Sequence, residues 1–169
     1  SRVYGNQAVV ISVDPRRVYV HSPSETTHRV FPTDTPGPGG ESFCWFQCTI
    51  RGGREGRELD AVTLAMVCEE LGAGEILLNS IDRGGTSAGF DLELIAALSQ
   101  AVSIPVIASS GAGTVDHFME VFTRTQAEAA LAAGIFHRQE VSIAEVKDGL
   151  STTVEIRPIP DVGPAAGTS

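Results

Sequence analysis

Lysine is almost absent from this sequence. Eleven of its twelve basic residues are arginine, Lys147 is the exception, and 21 acidic residues give a formal net charge of -9 over 169 residues. No basic cluster is long enough to track a nucleic-acid backbone, so nucleic acid is not an expected partner. The acidic balance leaves small phosphate esters open, because backbone N–H groups can hold one. Cysteine is scarce too: Cys44, Cys48 and Cys68 are an odd count without regular spacing, which argues against a disulfide framework. Cys44 and Cys48 share a face of a strand but lie roughly 13 Å apart at strand rise, too far for one bridge or one metal ion. Free thiols are expected, and neither a metal nor a cofactor. No apolar run approaches membrane-spanning length, so no membrane contact is expected. The opening Ser1-Arg2-Val3-Tyr4 lacks the basic stretch and apolar core of a secretory signal.

What is present is a repeated order of strand, loop and helix. Ala8-Val9-Val10-Ile11-Ser12-Val13, Glu75-Ile76-Leu77-Leu78-Asn79, Ile104-Pro105-Val106-Ile107-Ala108 and the weaker Ala129-Ala130-Leu131-Ala132 are short apolar runs. Such runs suit parallel strands buried on both faces. Leu59, Val62, Met66, Val67 and Leu71 keep helical spacing, with Gly72 as the stop. Asp91 caps a helix facing inward through Leu94, Ile95 and Leu98, and Thr114 one with Val115, Phe118 and Phe122. Ser142 and Glu145 form a capping box that opens a last helix. The order β-α-β-α-β-α-β-α means α/β with a parallel sheet of four βα units.

One segment breaks the rhythm. About forty residues separate the first strand from the first helix, an insertion loop at 16–57. Arg17-Val18-Tyr19-Val20 and Phe43-Cys44-Trp45-Phe46-Gln47-Cys48-Thr49 look like the arms of a hairpin around a Pro/Gly-rich stretch. A long loop at that end of a parallel strand is commonly a lid or substrate loop. Residues 1–157 are expected to form the folded unit, and 158–169 a disordered tail.

Working residues in such folds lie at the C-terminal ends of strands. Alternation places Val10, Ser12 and Asp14 on one face, and Pro15 holds Asp14 extended at the strand mouth. A carboxylate there suits general acid/base chemistry, although an Asx-turn would look the same. Asn79 is the polar group at the second mouth, followed by Asp82 and Thr86 in a Gly-rich loop that an Asx-turn also explains. Ser109-Ser110-Gly111-Ala112-Gly113 runs directly into a helix, an arrangement that favours an anion. Ala133-Gly134 leads into another helical turn, where His137 either reaches a phosphate or caps the turn. Two neighbouring strands ending in small-residue turns match the phosphate site of many (β/α)8 barrels. Glu75 starts a buried strand, at the opposite end of the sheet, where a solvated glutamate is usual.

The segments Ala8 to Asp14, Gly72 to Asp82, Ile107 to Gly113 and Gly134 to His137, in that order, resemble the cyclase of imidazole glycerol phosphate synthase. The stretch Cys44-Trp45-Phe46-Gln47-Cys48-Thr49-Ile50-Arg51-Gly52-Gly53-Arg54 resembles the fungal and plant form, in which glutaminase and cyclase share one polypeptide. The resemblance implies the C-terminal half of a TIM (β/α)8 barrel with a hairpin insertion after its first strand. It implies a histidine-biosynthesis lyase that uses glutamine-derived ammonia, with a phosphorylated small-molecule substrate. Its partners would be a glutaminase domain and an N-terminal half-barrel, and the half-barrel alone is expected to self-associate. Asp14 matches one of two catalytic aspartates. Gly111, Ala133 and Gly134, with Ser109 and Ser110 beside them, match the glycerol-side phosphate site, and Asn79 and Asp82 the substrate-contacting strand end. Glu75 matches the charged ring where ammonia enters.

Two positions depart from the pattern: Gly84 replaces a second acid, and Gly134 a common serine. The expected compartment is the cytoplasm, or the plastid in a plant. The sister isomerase of the same pathway, and a non-catalytic phosphate-binding half-barrel, are the competing readings. Glu75 and the fungal-type insert favour the cyclase.

Overall fold

The computed structural model describes residues 5–158. Four parallel strands form one sheet: β1 (Val10–Val13), then β6 (Glu75–Asn79), β7 (Val106–Ser109) and β8 (Ala129–Leu131), in that spatial order. The register runs Val13↔Leu78, Asn79↔Ser109 and Ser109↔Leu131, so the C-terminal ends of the four strands line up. Their helices are α1 (Ala61–Glu70), α2 (Leu92–Ser99), α3 (Val115–Arg124), the single turn α4 (Gly134–His137) and α5 (Ile143–Leu150).

Side-chain alternation decides which sheet face the helices cover. Val13, Ile76, Leu78, Val106 and Ala108 are buried in one cluster with Ala65, Leu94, Leu98, Phe118 and Val121 of the helices. Ser12, Asp14, Glu75, Leu77 and Asn79 alternate onto the other face and stay half-buried or exposed. A curved parallel sheet with helices on its outer face and polar strand ends on its inner face is half of a (β/α)8 barrel.

The insertion is larger than a hairpin. β2 (Pro15–Val20) and β4 (Phe43–Ile50) pair antiparallel as the sequence predicts, but β3 (Phe31–Pro32) and β5 (Glu55–Asp60) also pair with β4. The antiparallel sheet therefore spans 15–60 rather than 16–57. β5 is polar (Glu55-Gly56-Arg57-Glu58-Leu59-Asp60) and gives no apolar alternation to read. Leu59, expected in the first helix, ends up in this strand and 38% exposed. The helix starts one residue after Asp60, whose Oδ1 accepts the Thr63 N–H at 2.8 Å as an N-cap. Its buried residues are Ala61, Val62 and Ala65, whereas Met66, Val67 and Leu71, expected inward, are exposed. The expected tail lies outside the described residues from 159 onward.

Other exposed apolar residues lie at the edges of the parallel sheet. No described strand pairs with the outer edge of β1 or of β8. Val10 stands on the first edge strand and Leu131 on the last, with Leu71, just after α1, exposed near β1 and Ile143 of α5 exposed near β8. A groove of about 550 Å³ lined by Phe118, Phe122, Phe136 and Val146 opens alongside β8. Unpaired strand edges flanked by apolar side chains are surfaces that another sheet would cover.

Arg17 fixes the insertion to the parallel unit. It lies on β2 with a side chain only 5% exposed. Its guanidinium makes a two-pronged contact with Asp91, and Nη1 reaches Glu93 at 2.6 Å and the Thr33 hydroxyl at 2.8 Å. Its face lies 5.7 Å from the Phe46 ring centre. Asp91 also accepts the Leu94 N–H at 3.2 Å, so a single carboxylate caps α2 and holds the insertion. Burial would lower the Arg17 pKa, but hydrogen bonds and charges from Asp91 and Glu93 outweigh it and hold the pKa above its ordinary value. For Glu93, burial pulls upward while Thr33, the Asp34 N–H and Arg17 together hold the carboxyl below the usual range. Burial pushes the Cys44 and Cys48 thiols up to about 11 and about 12, so both are unreactive core residues at neutral pH.

Replacing Arg17 by leucine strands the buried Asp91 charge. The variant should lose about 3–5 kcal/mol in urea unfolding. In the parent protein the Glu93 contribution is present above the unfolded carboxyl pKa and falls away as pH drops below about 4. An Arg17→Leu variant as stable as the parent would show the contact to be incidental.

Candidate functional site

The strand ends present a row of polar groups. Asp14 is the one residue between β1 and β2, where the chain leaves the parallel sheet for the insertion. Its carbonyl accepts both the Thr49 N–H at 3.0 Å and the Thr49 hydroxyl at 2.6 Å. The backbone is thereby fixed from β4. The side chain is half-buried, and its Oδ1 takes a hydrogen bond from the Ser12 hydroxyl at 3.2 Å. Because Val13 pairs with Leu78, Asp14 stands next to Asn79 across the strand mouths.

Asn79 carries the row onward. Its Oδ1 accepts the Ser110 hydroxyl at 2.5 Å and the Ser109 hydroxyl at 3.3 Å. Two hydroxyl donors orient the amide, so its NH2 faces away from them. Asn79, Ser109, Ser110, Gly111, Ala133 and Gly134, all singled out from sequence, line one cavity of about 330 Å³. Leu131 and Ala132 of the β8 end, and Gly85 and Ser87 of the β6–α2 loop, line it too, as do Ala112, Ile135 and Arg138.

The loop geometry explains the small residues. Ser110 and Gly111 both have positive φ, 79° and 98°, which turns the chain sharply after β7. A Cβ on Gly111 would stand 2.2 Å from the Gly89 carbonyl oxygen, and Gly89 donates its N–H to Gly111 O at 2.8 Å. The β6–α2 loop is thus laced onto the β7–α3 loop, and a larger residue would separate them. His117 fixes the two residues after Ala112: its Nδ1 accepts the N–H groups of Gly113 at 3.0 Å and Thr114 at 3.3 Å. Those donors are therefore spent. Among the described residues, the N–H groups of Gly111, Ala112, Ala133 and Gly134 meet no acceptor, and they remain for an anion.

Three sequence candidates lie elsewhere. Asp82 does not line this cavity; its Oδ2 accepts the Arg17 N–H at 2.7 Å, and it borders a smaller hollow with Tyr19, Thr35 and Thr86. That hydrogen bond makes Asp82 part of the joint between the insertion and the barrel. Glu75 is half-buried at the opposite end of β6, on the same inner face as Asn79. His137 is exposed and outside the cavity lining, with its N–H given to Ala133 O at 2.9 Å. Arg16 Nε donates to Gln47 Oε1 at 2.9 Å between β2 and β4 of the insertion. No metal-binding group of three or more ligands occurs among the described residues.

A profile described as "Histidine biosynthesis protein" matches residues 1–142. The chain belongs to that family. It is 60% identical over 158 residues to the chloroplastic imidazole glycerol phosphate synthase hisHF of Arabidopsis thaliana, covering 93% of the chain and 27% of the relative. Against the hisHF of Schizosaccharomyces pombe it is 57% identical over 151 residues, 89% of the chain and 28% of the relative. Against the synthase subunit HisF of Methanobrevibacter smithii it is 48% identical over 151 residues, 89% of the chain and 53% of that subunit. The chain thus spans about a quarter of the fused relatives and about half of the HisF subunit. No helix among the described residues is long and apolar enough to cross a membrane.

Crystals soaked in phosphate or sulfate should show an anion within hydrogen-bond reach of the Gly111 and Ala133–Gly134 amides. Anion density only at other strand mouths would contradict the assignment of this cavity.

Proposed function

We propose that this protein supplies one half of the cyclase site of imidazole glycerol phosphate synthase, with Asp14 as general acid/base and the cavity at Gly111, Ala133 and Gly134 as the seat of the glycerol-side phosphate. The observation that carries this reading is the continuous row from Asp14 through Asn79 to Ser109 and Ser110, which leads from a carboxylate directly into an amide-lined cavity. A phosphorylated substrate anchored in that cavity would extend along the strand mouths toward Asp14. The relatives named as imidazole glycerol phosphate synthase and its HisF subunit support a reading in which a phosphorylated compound is made here.

In the complete enzyme a glutaminase releases ammonia, which enters the barrel at the ring to which Glu75 contributes and travels along the inner face. At the mouth it attacks the ribulosyl ketone of the doubly phosphorylated aminoimidazole carboxamide intermediate. The adduct loses water, cyclises, and splits into imidazole glycerol phosphate and AICAR. Each stage moves protons, so a carboxylate fixed at the mouth is the group the chemistry requires. Asp14 suits this role because Thr49 holds its backbone while the side chain remains only half-buried. The second aspartate, the second phosphate site and the glutaminase come from the partner half-barrel and the glutaminase domain. Gly84 removes one carboxylate from the β6–α2 loop, leaving Asn79 and the loop backbone to hold that side of the substrate. We place the reaction in the cytoplasm, or in the plastid of a plant.

In a completed barrel, Asp14→Asn should lower ammonia-dependent turnover by at least about 10²-fold while leaving substrate affinity within a few-fold of the parent. Near-normal turnover in a variant that binds substrate normally would remove Asp14 from the mechanism.

A further inference from the structure

We propose that Arg138 is a phosphate-binding residue of the Gly111–Gly134 cavity, with its guanidinium standing over Gly134; this rests on the phosphate reading of that cavity. Gly134 and Arg138 are four residues apart, at the start of α4 and at its C-cap, so they share a face. A Cβ built on Gly134 would lie 2.8 Å from Arg138 Nη1 and 3.5 Å from its Cζ. The guanidinium therefore occupies the space into which any side chain at 134 would point. A serine there would offer the anion a hydroxyl and make the flexible arginine tip shift aside. Glycine leaves the amide and brings a charge.

The direction of the guanidinium is also set. Arg138 Nε donates to Glu140 Oε1 at 2.6 Å and Nη2 to Glu140 Oε2 at 2.9 Å. This two-pronged contact uses one edge of the fork and holds the group flat. Nη1 is left without a protein acceptor among the described residues, and it is the nitrogen over Gly134. Arg138 is the one charged side chain lining the cavity, which holds no carboxylate. A cavity with open amides, hydroxyls and a single guanidinium takes a phosphomonoester in preference to a neutral group. Glu140 acts as a positioning residue: it does not meet the anion but aims the donor that does.

Inorganic phosphate titrated into the full chain, followed by amide NMR, tests this. In the parent, the Gly111 and Gly134 amides should shift saturably. Arg138→Gln should weaken the fitted affinity by about tenfold and flatten its dependence on ionic strength. Its melting temperature should stay unchanged, because the Arg138 side chain is 52% exposed. Glu140→Gln, which keeps the cation but loosens its aim, should show a smaller loss. If the parent binds phosphate at these amides and Arg138→Gln binds it equally well, the role of Arg138 is refuted while the phosphate reading stands. If phosphate leaves both parent amides unmoved, the phosphate reading fails and the inference with it.

Discussion

A parallel sheet needs both faces covered, and its edge strands carry unpaired backbone groups; among the described residues this sheet has one face covered and two edges open. Four strands in the order β1-β6-β7-β8 end at β1 on one side and at β8 on the other, with no described strand beyond either. The backbone groups along those edges, and exposed Val10, Leu131, Leu71 and Ile143 beside them, are what another half-sheet would cover. The inner face depends on the same closure. Ser12, Asp14, Glu75 and Asn79 point to where the centre of a barrel would be, and only a closed barrel turns that surface into a pocket shielded from water. The family relationship agrees in proportion, since the chain aligns with about half of a HisF subunit.

Within the half, position is set by loops locked to each other. The insertion cannot swing freely, because Arg17 ties β2 to the start of α2 and Asp82 takes the Arg17 N–H. Asp14 sits at the root of that insertion and is held by Thr49 of β4. A segment that looks like a surface excursion is thus what orients the proposed acid/base. The β6–α2 and β7–α3 loops are similarly joined through Gly89 and Gly111, which keeps Asn79, Ser109 and Ser110 in one constellation.

The sequence made the parallel sheet legible because strands covered by helices need apolar side chains toward them, and a run such as Glu75-Ile76-Leu77-Leu78-Asn79 has few other uses. Asp14, Asn79, Ser109, Ser110, Gly111, Ala133 and Gly134 followed from their place at the ends of such runs. β5 was not legible, because an edge strand pairs through its backbone and can be polar throughout. Leu59 falls at helical spacing from Val62 yet belongs to β5; the signal for the helix start is Asp60, three residues before Thr63. Helical spacing alone does not separate Val62, which is buried, from Met66, Val67 and Leu71, which are exposed. The contacts of Asp82 with Arg17 and of Arg138 with Glu140 were not legible, because contacts that depend on folding leave no local pattern.

The central claim is that this chain is half of a catalytic barrel, and reconstitution tests it most directly. The chain is mixed with a separately produced N-terminal half-barrel, and ammonia-dependent formation of imidazole glycerol phosphate is measured alongside light scattering. The account predicts that the chain alone self-associates through its open edges and is inactive, and that the mixture forms a one-to-one complex with turnover. A stable monomer that turns the substrate over by itself, or a one-to-one complex with no activity, would contradict it.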